Sequence, residues 1–398
     1  MRRLPTAPVA PATITRISVH PTFRFRQVNA SKAGAVPETN SISGPALRYI
    51  PRALSSGPTS PLATTREPEM LQSLLAEGRP LLADGATGTN LFAMGLTSGD
   101  SPELWNAEHP DRIQALHHAF VDAGADIILT NSFGANRRRL ALHGLEPRVR
   151  ELNRLAAENA RRVADGAERR IVVAGSVGPT GDLIAPLGPL SEAEAVEAFV
   201  EQIEALREGG ADVAWIETMS APEEIRAAAL AAARVGLPFT ITASFDTAGR
   251  TMMGVAPAAL GALVDDFDPH PLAYGANCGV GASDLLVAIL AMSATRPGAA
   301  LIAKANAGVP QWHGAHIHYS GTPELMEIYA GLAVDCGARI VGGCCGNTPL
   351  HVAAMRRGLD ARKTSPRPDI VAIVASLGAL AAPPAAETTA RPRRRERA

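Results

Sequence analysis

The amino-acid sequence predicts an α/β protein, a (β/α)8 TIM barrel with disordered N- and C-terminal extensions. The first observation is that eight short β-rich apolar runs alternate with Ala-, Leu-, Glu- and Arg-rich helical stretches, beginning at Leu81. The second is that these runs are almost continuously apolar, which is typical of parallel strands covered by helices. The third is size, since eight such units over about 270 residues match a fold that usually needs about 250.

Each apolar run ends in small or polar residues, where a strand gives way to a loop. In chain order the runs are residues 81–87, 125–131, 171–177, 212–218, 239–246, 272–278, 301–306 and 339–344. Ser191 and Glu194 form a capping-box pattern at the start of the helical stretch 191–208. An open doubly wound sheet is the alternative fold, but it normally carries a Gly-x-Gly-x-x-Gly turn after its first strand. Residues 84–89 (DGATGT) lack that spacing and predict a tight turn or a small anion-binding loop.

Changes in composition predict the domain boundaries. Residues 1–68 are rich in Pro, Ser, Thr, Ala and Arg without a hydrophobic period, so we expect a disordered extension. An organellar transit peptide, or a start codon assigned too early with Met70 as the true start, are the alternatives. Residues 69–362 form the predicted barrel, and residues 363–398 form a C-terminal tail that ends in a solvated, arginine-rich stretch.

Composition also narrows the classes of partner. A net charge of -1 does not favour nucleic acid, and we find no run of about 18 apolar residues that would predict a membrane span. Four cysteines in 398 residues do not make a disulfide scaffold, which predicts a reducing, cytoplasmic compartment. The sequence leaves a homo-oligomer open.

Polar residues and cysteines gather at the ends of the predicted strands, where TIM-barrel enzymes place their chemistry. They are Asp84, Asn131, Glu217, Asp246, Asn277, Cys278, Lys304, Asn306, Cys344 and Cys345. One such residue would mean little, because polar residues at strand ends often cap helices or close loops. Their convergence at one rim predicts a functional site.

Three of the four cysteines belong to this group. Cys278 ends the sixth run, and Cys344 and Cys345 end the eighth, all beside glycines. They could be small core residues, a vicinal disulfide with Cys278 left unexplained, or three thiolates that bind Zn2+. We favour Zn2+, because three protein ligands with one open position are typical of catalytic zinc, and an all-sulfur shell suits activation of a thiol. Cys336 has no such setting and is predicted to be structural.

Five motifs carry a family resemblance over residues 81 to about 357. They are residues 84–89 (DGATGT), 130–136 (TNSFGAN), 175–179 (GSVGP), 277–278 (NC) and 342–346 (GGCCG). At these motifs the sequence resembles the homocysteine S-methyltransferase family, which includes betaine–homocysteine methyltransferases and the homocysteine-binding module of cobalamin-dependent methionine synthase. The resemblance implies a (β/α)8 barrel in which Cys278, Cys344 and Cys345 bind Zn2+. It also implies that Asp84 and Glu217 hold the amino-acid part of homocysteine.

The chemistry of homocysteine agrees with these expectations. Glu217 can accept hydrogen bonds from the ammonium group, with Asp84 helping, and these two are the predicted catalytic residues. Backbone N–H groups of the turn that contains Gly85 and Thr87 can bind the carboxylate. Asn277 completes the predicted substrate-binding set. The alternative is that Asp84 and Glu217 only cap neighbouring elements.

The predicted reaction uses small molecules, homocysteine and a methyl donor, and gives methionine. The amino-acid sequence of the barrel most resembles bacterial betaine–homocysteine methyltransferases, so betaine is the first expected donor and S-methylmethionine the second. However, Ser101, Gly134 and Thr218 align with the aromatic residues that surround betaine in the animal enzymes. Aromatic faces usually bind quaternary ammonium groups, which makes Trp105, Trp312 and Tyr319 candidates for a replacement cage.

Two other functions remain open. Lys304, at the end of the seventh run, could form a Schiff base in a barrel lyase, which would require a lowered lysine pKa. A barrel that binds zinc without turnover, as a regulatory or binding module, is the non-enzymatic alternative.

Overall fold

A computed structural model describes residues 70–308, 310–313 and 316–381. The β-strands, β1 to β10 in chain order, are Leu81–Leu82, Ile127–Leu129, Val172–Val177, Val213–Met219, Phe239–Ala243, Ala273–Cys278, Leu301–Ala305, Pro310–His313, His316–Tyr319 and Ala338–Gly343. The α-helices, α1 to α13, are Met70–Ala76, Gly88–Ala93, Trp105–Glu108, Pro110–Asp122, Arg137–Leu140, Val149–Asp165, Glu192–Gly209, Pro222–Val235, Pro257–Asp265, Ala282–Thr295, Pro323–Asp335, Pro349–Asp360 and Ile370–Leu377. The predicted extension 1–68 and the arginine-rich end lie outside the described residues.

Eight of the strands form one parallel sheet in the order β1-β10-β7-β6-β5-β4-β3-β2. A further parallel bridge between Ala83 and Ile127 joins β1 to β2 and closes the barrel. Each predicted apolar run overlaps one of these strands, so the predicted (β/α)8 TIM barrel is confirmed. The short antiparallel hairpin β8–β9, inserted between barrel strands β7 and β10, was not predicted.

The barrel interior is filled by one face of the strands and closed at the bottom by helix α1. Interior side chains such as Ile127, Trp215 and Ile340 pack in one apolar cluster with Leu71 and Leu74 of that helix. The opposite strand faces pack beneath the outer helices in a second, larger cluster. Because both strand faces are buried, the strands show continuous apolar runs in the sequence.

Helix α7 begins as the sequence predicted. The Ser191 side chain accepts a hydrogen bond from the Glu194 N–H, and the Glu194 carboxylate accepts one from the Ser191 N–H at 3.0 Å. This capping box satisfies two N–H groups that the helix itself cannot bond.

The C-terminal tail contains a helix that the sequence analysis did not predict. Helix α13 packs against α10 and α11 and buries Ile373 and Leu377. The Ser283 hydroxyl donates to the Gly378 carbonyl at 2.8 Å, which fixes the end of α13. Among the described residues, none of the helices is long and apolar enough to cross a membrane.

Candidate active site

A cavity of about 420 Å³ opens at the carboxyl ends of the barrel strands. TIM-barrel enzymes place their active sites at this end. The predicted site residues that line the cavity are Gly85, Thr87, Glu217, Cys278, Cys344 and Cys345. The remaining two, Asp84 and Asn277, are each 1% exposed and contact residues that line it.

The three predicted metal ligands lie together. Cys278 ends β6, Cys344 and Cys345 follow β10, and their sulfur atoms all lie within 4.8 Å of one another. The Cys278 and Cys345 sulfurs are 4.0 Å apart. Tetrahedral zinc with Zn–S bonds of about 2.3 Å requires sulfurs about 3.8 Å apart, so this arrangement fits the metal.

Two asparagine side-chain amides lie close enough to the cysteine sulfurs to donate hydrogen bonds to them. The Asn277 amide lies 3.8 Å from the Cys344 sulfur, and the Asn306 amide lies 3.6 Å from the Cys278 sulfur. N–H donors of this kind orient metal ligands and tune their basicity. The hydrogen bond with Cys278, and then burial, raise the pKa of the Cys344 thiol, so a bound cation would be needed to keep the cluster ionised.

Asn277 also ties neighbouring strand ends together. Its side-chain oxygen accepts from the Thr218 N–H at 2.8 Å and from the Thr242 hydroxyl at 2.7 Å. Thr218 and Cys278 both have left-handed backbone angles, with φ of 63° and 61°. Such angles are uncommon outside glycine, and the Asn277 contacts help to hold one of them in place. Asn277 therefore contacts residues at the ends of β4 and β5 and does not itself line the cavity.

Glu217 lies where the sequence predicted, at the end of β4 and on the cavity wall. It is 6% exposed, and its carboxylate accepts a hydrogen bond from the Ser176 hydroxyl at 2.5 Å. Burial raises the pKa of Glu217, because the charged form has lost most of its water. A cationic group bound in the cavity would restore the ionised form.

Asp84 is paired with Lys304. The Lys304 ammonium lies 2.9 Å from one Asp84 carboxylate oxygen, and the Leu129 N–H donates to the other at 2.7 Å. Burial alone would lower the pKa of Lys304, but the carboxylates of Asp84 and Glu217 outweigh it and raise that pKa. This argues against the Schiff-base lyase, whose lysine needs a lowered pKa. The contacts with Lys304 and Leu129 also give each Asp84 carboxylate oxygen a hydrogen-bond donor from the protein.

The turn after β1 forms the floor of the cavity beside Asp84. The Ala86 N–H donates to the Asn347 carbonyl at 3.0 Å, and a Cβ on Gly85 would lie only 2.6 Å from that same oxygen. The turn leads through Thr87 into helix α2, whose first N–H groups have no acceptor within the helix. These groups are suited to a carboxylate.

The cavity residues to which the sequence analysis gave no role include Glu103, Phe92, Phe133 and Ser176. Glu103 accepts from the Gly134 N–H at 2.8 Å and from the Ser101 hydroxyl at 2.6 Å. Gly134 and Ser101 are two of the positions that align with betaine-binding aromatic residues, and here both contact a carboxylate. The sequence signal for Glu103 was weak, because an acidic residue in a helical first turn is usually explained by the helix dipole.

Trp105 was a wrong candidate for the predicted aromatic cage. Trp105 is 6% exposed and does not line the cavity; its ring contacts His109 edge-on and has the Arg112 guanidinium over its face. Tyr319 is half-buried against Gly346, beside Cys345. The Trp312 side chain lies outside the described residues. Cys336 is fully buried beneath the helices and has no part in the cysteine cluster.

Comparisons with known proteins agree with this geometry. Residues 81–359 match the family model "Homocysteine S-methyltransferase". Methionine synthases of Mycobacterium tuberculosis and Mycobacterium leprae are 32% and 30% identical, in each case over 69% of this chain but only 24% of the relative's length. The crystal structure of the metallated homocysteine methyltransferase MmuM from Escherichia coli has a TM-score of 0.59 and 28% identity, covering 72% of this chain and 99% of that one. The chain therefore belongs to the homocysteine S-methyltransferase family.

Proposed function

We propose that the protein transfers a methyl group to the thiol of homocysteine, giving methionine, and that it does so with Zn2+ bound by Cys278, Cys344 and Cys345. The observation that carries the proposal is the group of three cysteine sulfurs within 4.8 Å, which open onto a cavity with a buried carboxylate. Family membership supports the substrate. The chain spans about a quarter of the methionine synthases it matches, so their whole activity is not transferred to it.

The chain's own residues would position both ends of homocysteine. Glu217 accepts hydrogen bonds from the ammonium group, which removes the cost of its buried charge. Backbone N–H groups of the turn at Gly85 and Thr87 receive the carboxylate, since the Ala86 N–H already donates to Asn347. Asp84 acts through Lys304, since both of its oxygens already have donors. The Lys304 cation in turn opposes the effect of burial, which raises the pKa of the paired Asp84 carboxylate.

Zinc, when bound, would lower the pKa of the substrate thiol so that a thiolate exists at neutral pH. The thiolate sulfur forms a bond to the donor methyl carbon while the bond from that carbon to the donor's nitrogen or sulfur breaks. The electron pair of the broken bond stays on the leaving atom, so the donor loses its positive charge. With betaine the products are methionine and dimethylglycine. The protein's contribution is alignment in a site with little water.

We propose betaine as the first donor and S-methylmethionine as the second. Both carry the transferred methyl group on a positively charged atom, which agrees with a cavity that contains Glu103 and two phenylalanines. A site of three thiolates also needs a reducing environment, and on that ground we propose the cytoplasm.

The test uses the full-length protein. Zinc content is measured by metal analysis, and methionine is followed after addition of homocysteine with either donor. Cys345→Ala should lose both zinc and turnover, whereas the matched variant Cys336→Ala should keep both. Full activity in chelated, metal-free protein would refute zinc dependence. Tight zinc binding with no methionine from either donor would favour the non-enzymatic module.

A further inference from the structure

The cavity has a wall that the homocysteine assignments leave unused. In the closed barrel, β2 is four strands away from β6 in both directions, so the loop after β2 faces the strand that carries Cys278. Phe133, from that loop, and Phe92 and Glu103, from the segment between β1 and β2, form this wall. A donor that approaches a thiol held at the cysteine cluster would lie against it.

Glu103 is a buried carboxylate without a cationic partner among the described residues. It is 7% exposed, and the hydrogen bonds that it accepts come from neutral groups, the Gly134 N–H and the Ser101 hydroxyl. The close approach depends on glycine, since a Cβ at position 134 would lie 2.7 Å from the Glu103 Oε1. A carboxylate this buried, bonded only to neutral donors, favours a positive ligand.

The two phenylalanines that line the same cavity as Glu103 are unusually exposed for their size. Phe92 is 49% and Phe133 39% exposed, and both line the cavity. The faces of aromatic rings attract cations, including those with no N–H to donate. One carboxylate and two aromatic rings on one wall are thus suited to an alkylated cation.

We propose that Glu103, together with Phe92 and Phe133, binds the charged centre of the methyl donor and selects for onium compounds, quaternary ammonium or sulfonium. This inference rests on the proposed function. Neutral and anionic methyl donors would gain nothing from the carboxylate. Both betaine and S-methylmethionine meet the requirement.

The chemistry predicts how Glu103 divides its effect between binding and rate. The donor's positive charge is complete in the ground state and is partly lost in the transition state, as the bond to the methyl group breaks. A carboxylate therefore stabilises the bound donor more than the transition state. Removing its charge should raise the donor KM and leave kcat unchanged or higher.

The experiment compares wild type, Glu103→Gln and Glu108→Gln as full-length, zinc-loaded proteins. Glutamine can keep both hydrogen bonds, accepting from Gly134 and donating to Ser101, so only the charge is lost. Glu108 is exposed nearby and does not line the cavity, which makes it a matched control for charge. For Glu103→Gln we expect a donor KM about 10- to 100-fold higher, an unchanged homocysteine KM and no fall in kcat.

The results of this experiment separate failure of the inference from failure of the proposed function. A Glu103→Gln donor KM within about twofold of wild type overturns the inference and keeps the proposed function. A joint loss of kcat and homocysteine affinity in Glu103→Gln would show that Glu103 only holds the loop that contains Gly134, and also overturns it. If wild type makes no methionine from either donor, the proposed function fails, and calorimetry with tetramethylammonium takes over. Binding weakened only in Glu103→Gln then supports the cation site; equal binding, or none, overturns it.

Discussion

The buried pair of Lys304 and Asp84 gives a prediction for stability. Their side chains are 2% and 1% exposed, and the charged atoms are 2.9 Å apart. At an effective dielectric constant of about 20, the attraction at that distance is about 6 kcal/mol. Lys304→Met would remove the cation and leave Asp84 buried without it. Breaking a buried pair on one side costs about 3–5 kcal/mol, so we expect the unfolding free energy to fall by that amount.

Denaturation by urea, followed by circular dichroism on the full-length protein, measures this fall. The double variant Asp84→Asn/Lys304→Met should recover most of it, because an asparagine oxygen can still accept from the Leu129 N–H. The surface pair of Arg357 and Glu327 provides a control, since its side chains are 59% and 38% exposed. Arg357→Met should cost no more than about 1 kcal/mol.

The prediction of a stranded buried charge is wrong if Lys304→Met lowers the unfolding free energy no more than Arg357→Met. It is also wrong if the double variant is as unstable as Lys304→Met, since the loss would then come from packing of the lysine chain and not from a stranded carboxylate.

Four further predictions concern the cavity end of the barrel and one of the outer helices. Burial raises the pKa of Glu217, so its ionisation costs stability progressively as the pH rises above the unfolded-state pKa of about 4.3. Glu217→Gln should therefore be more stable than wild type at pH 7 and no more stable below about pH 4.3, as urea titrations at both pH values can show. Asn306→Ala removes an N–H donor to the Cys278 sulfur and should weaken zinc affinity about 10- to 100-fold in a chelator competition, while an unchanged affinity would refute the support role. Gly331→Ala, within α11 and with no atom near the new methyl group, should raise the unfolding free energy by about 0.5–1 kcal/mol. Gly346→Ala, with φ of 80° and the Tyr319 ring in the way, should lower it by about 1–3 kcal/mol; equal effects of the two glycine changes in thermal melts would contradict this argument.

The fold could be predicted because each barrel strand is buried on both faces. A continuous apolar run such as Val172–Val177 is a strong signal that does not depend on distant residues. The hairpin β8–β9 was not predicted because it forms a separate sheet of two four-residue strands, which are too short to give a clear signal. Helix α13 was missed for a different reason: Ile370–Leu377 is short and lies beyond the repeating pattern.

The cysteine cluster could be predicted because glycine-flanked cysteines are rare and strand ends converge. The orientation of side chains at those ends could not. Asp84 and Lys304 are 220 residues apart in sequence, and only the closed barrel shows that they pair. Glu103 reaches the cavity from the short 3-10 helix Pro102–Leu104, between β1 and β2, where sequence carries little information on direction. A strand end identifies the rim but does not tell which residues face the ligand.

Trp215, in the barrel interior, gives the protein a built-in optical reporter. It lies two residues before Glu217 on β4, so the two side chains are on the same face of the strand. The indole is fully buried, and its N–H has no hydrogen-bond partner among the described residues. Its fluorescence should therefore lie at short wavelength, and charge that enters beside Glu217 should shift it. Binding at the amino-acid end of the cavity could then be followed by tryptophan fluorescence, in real time and without a methyl donor.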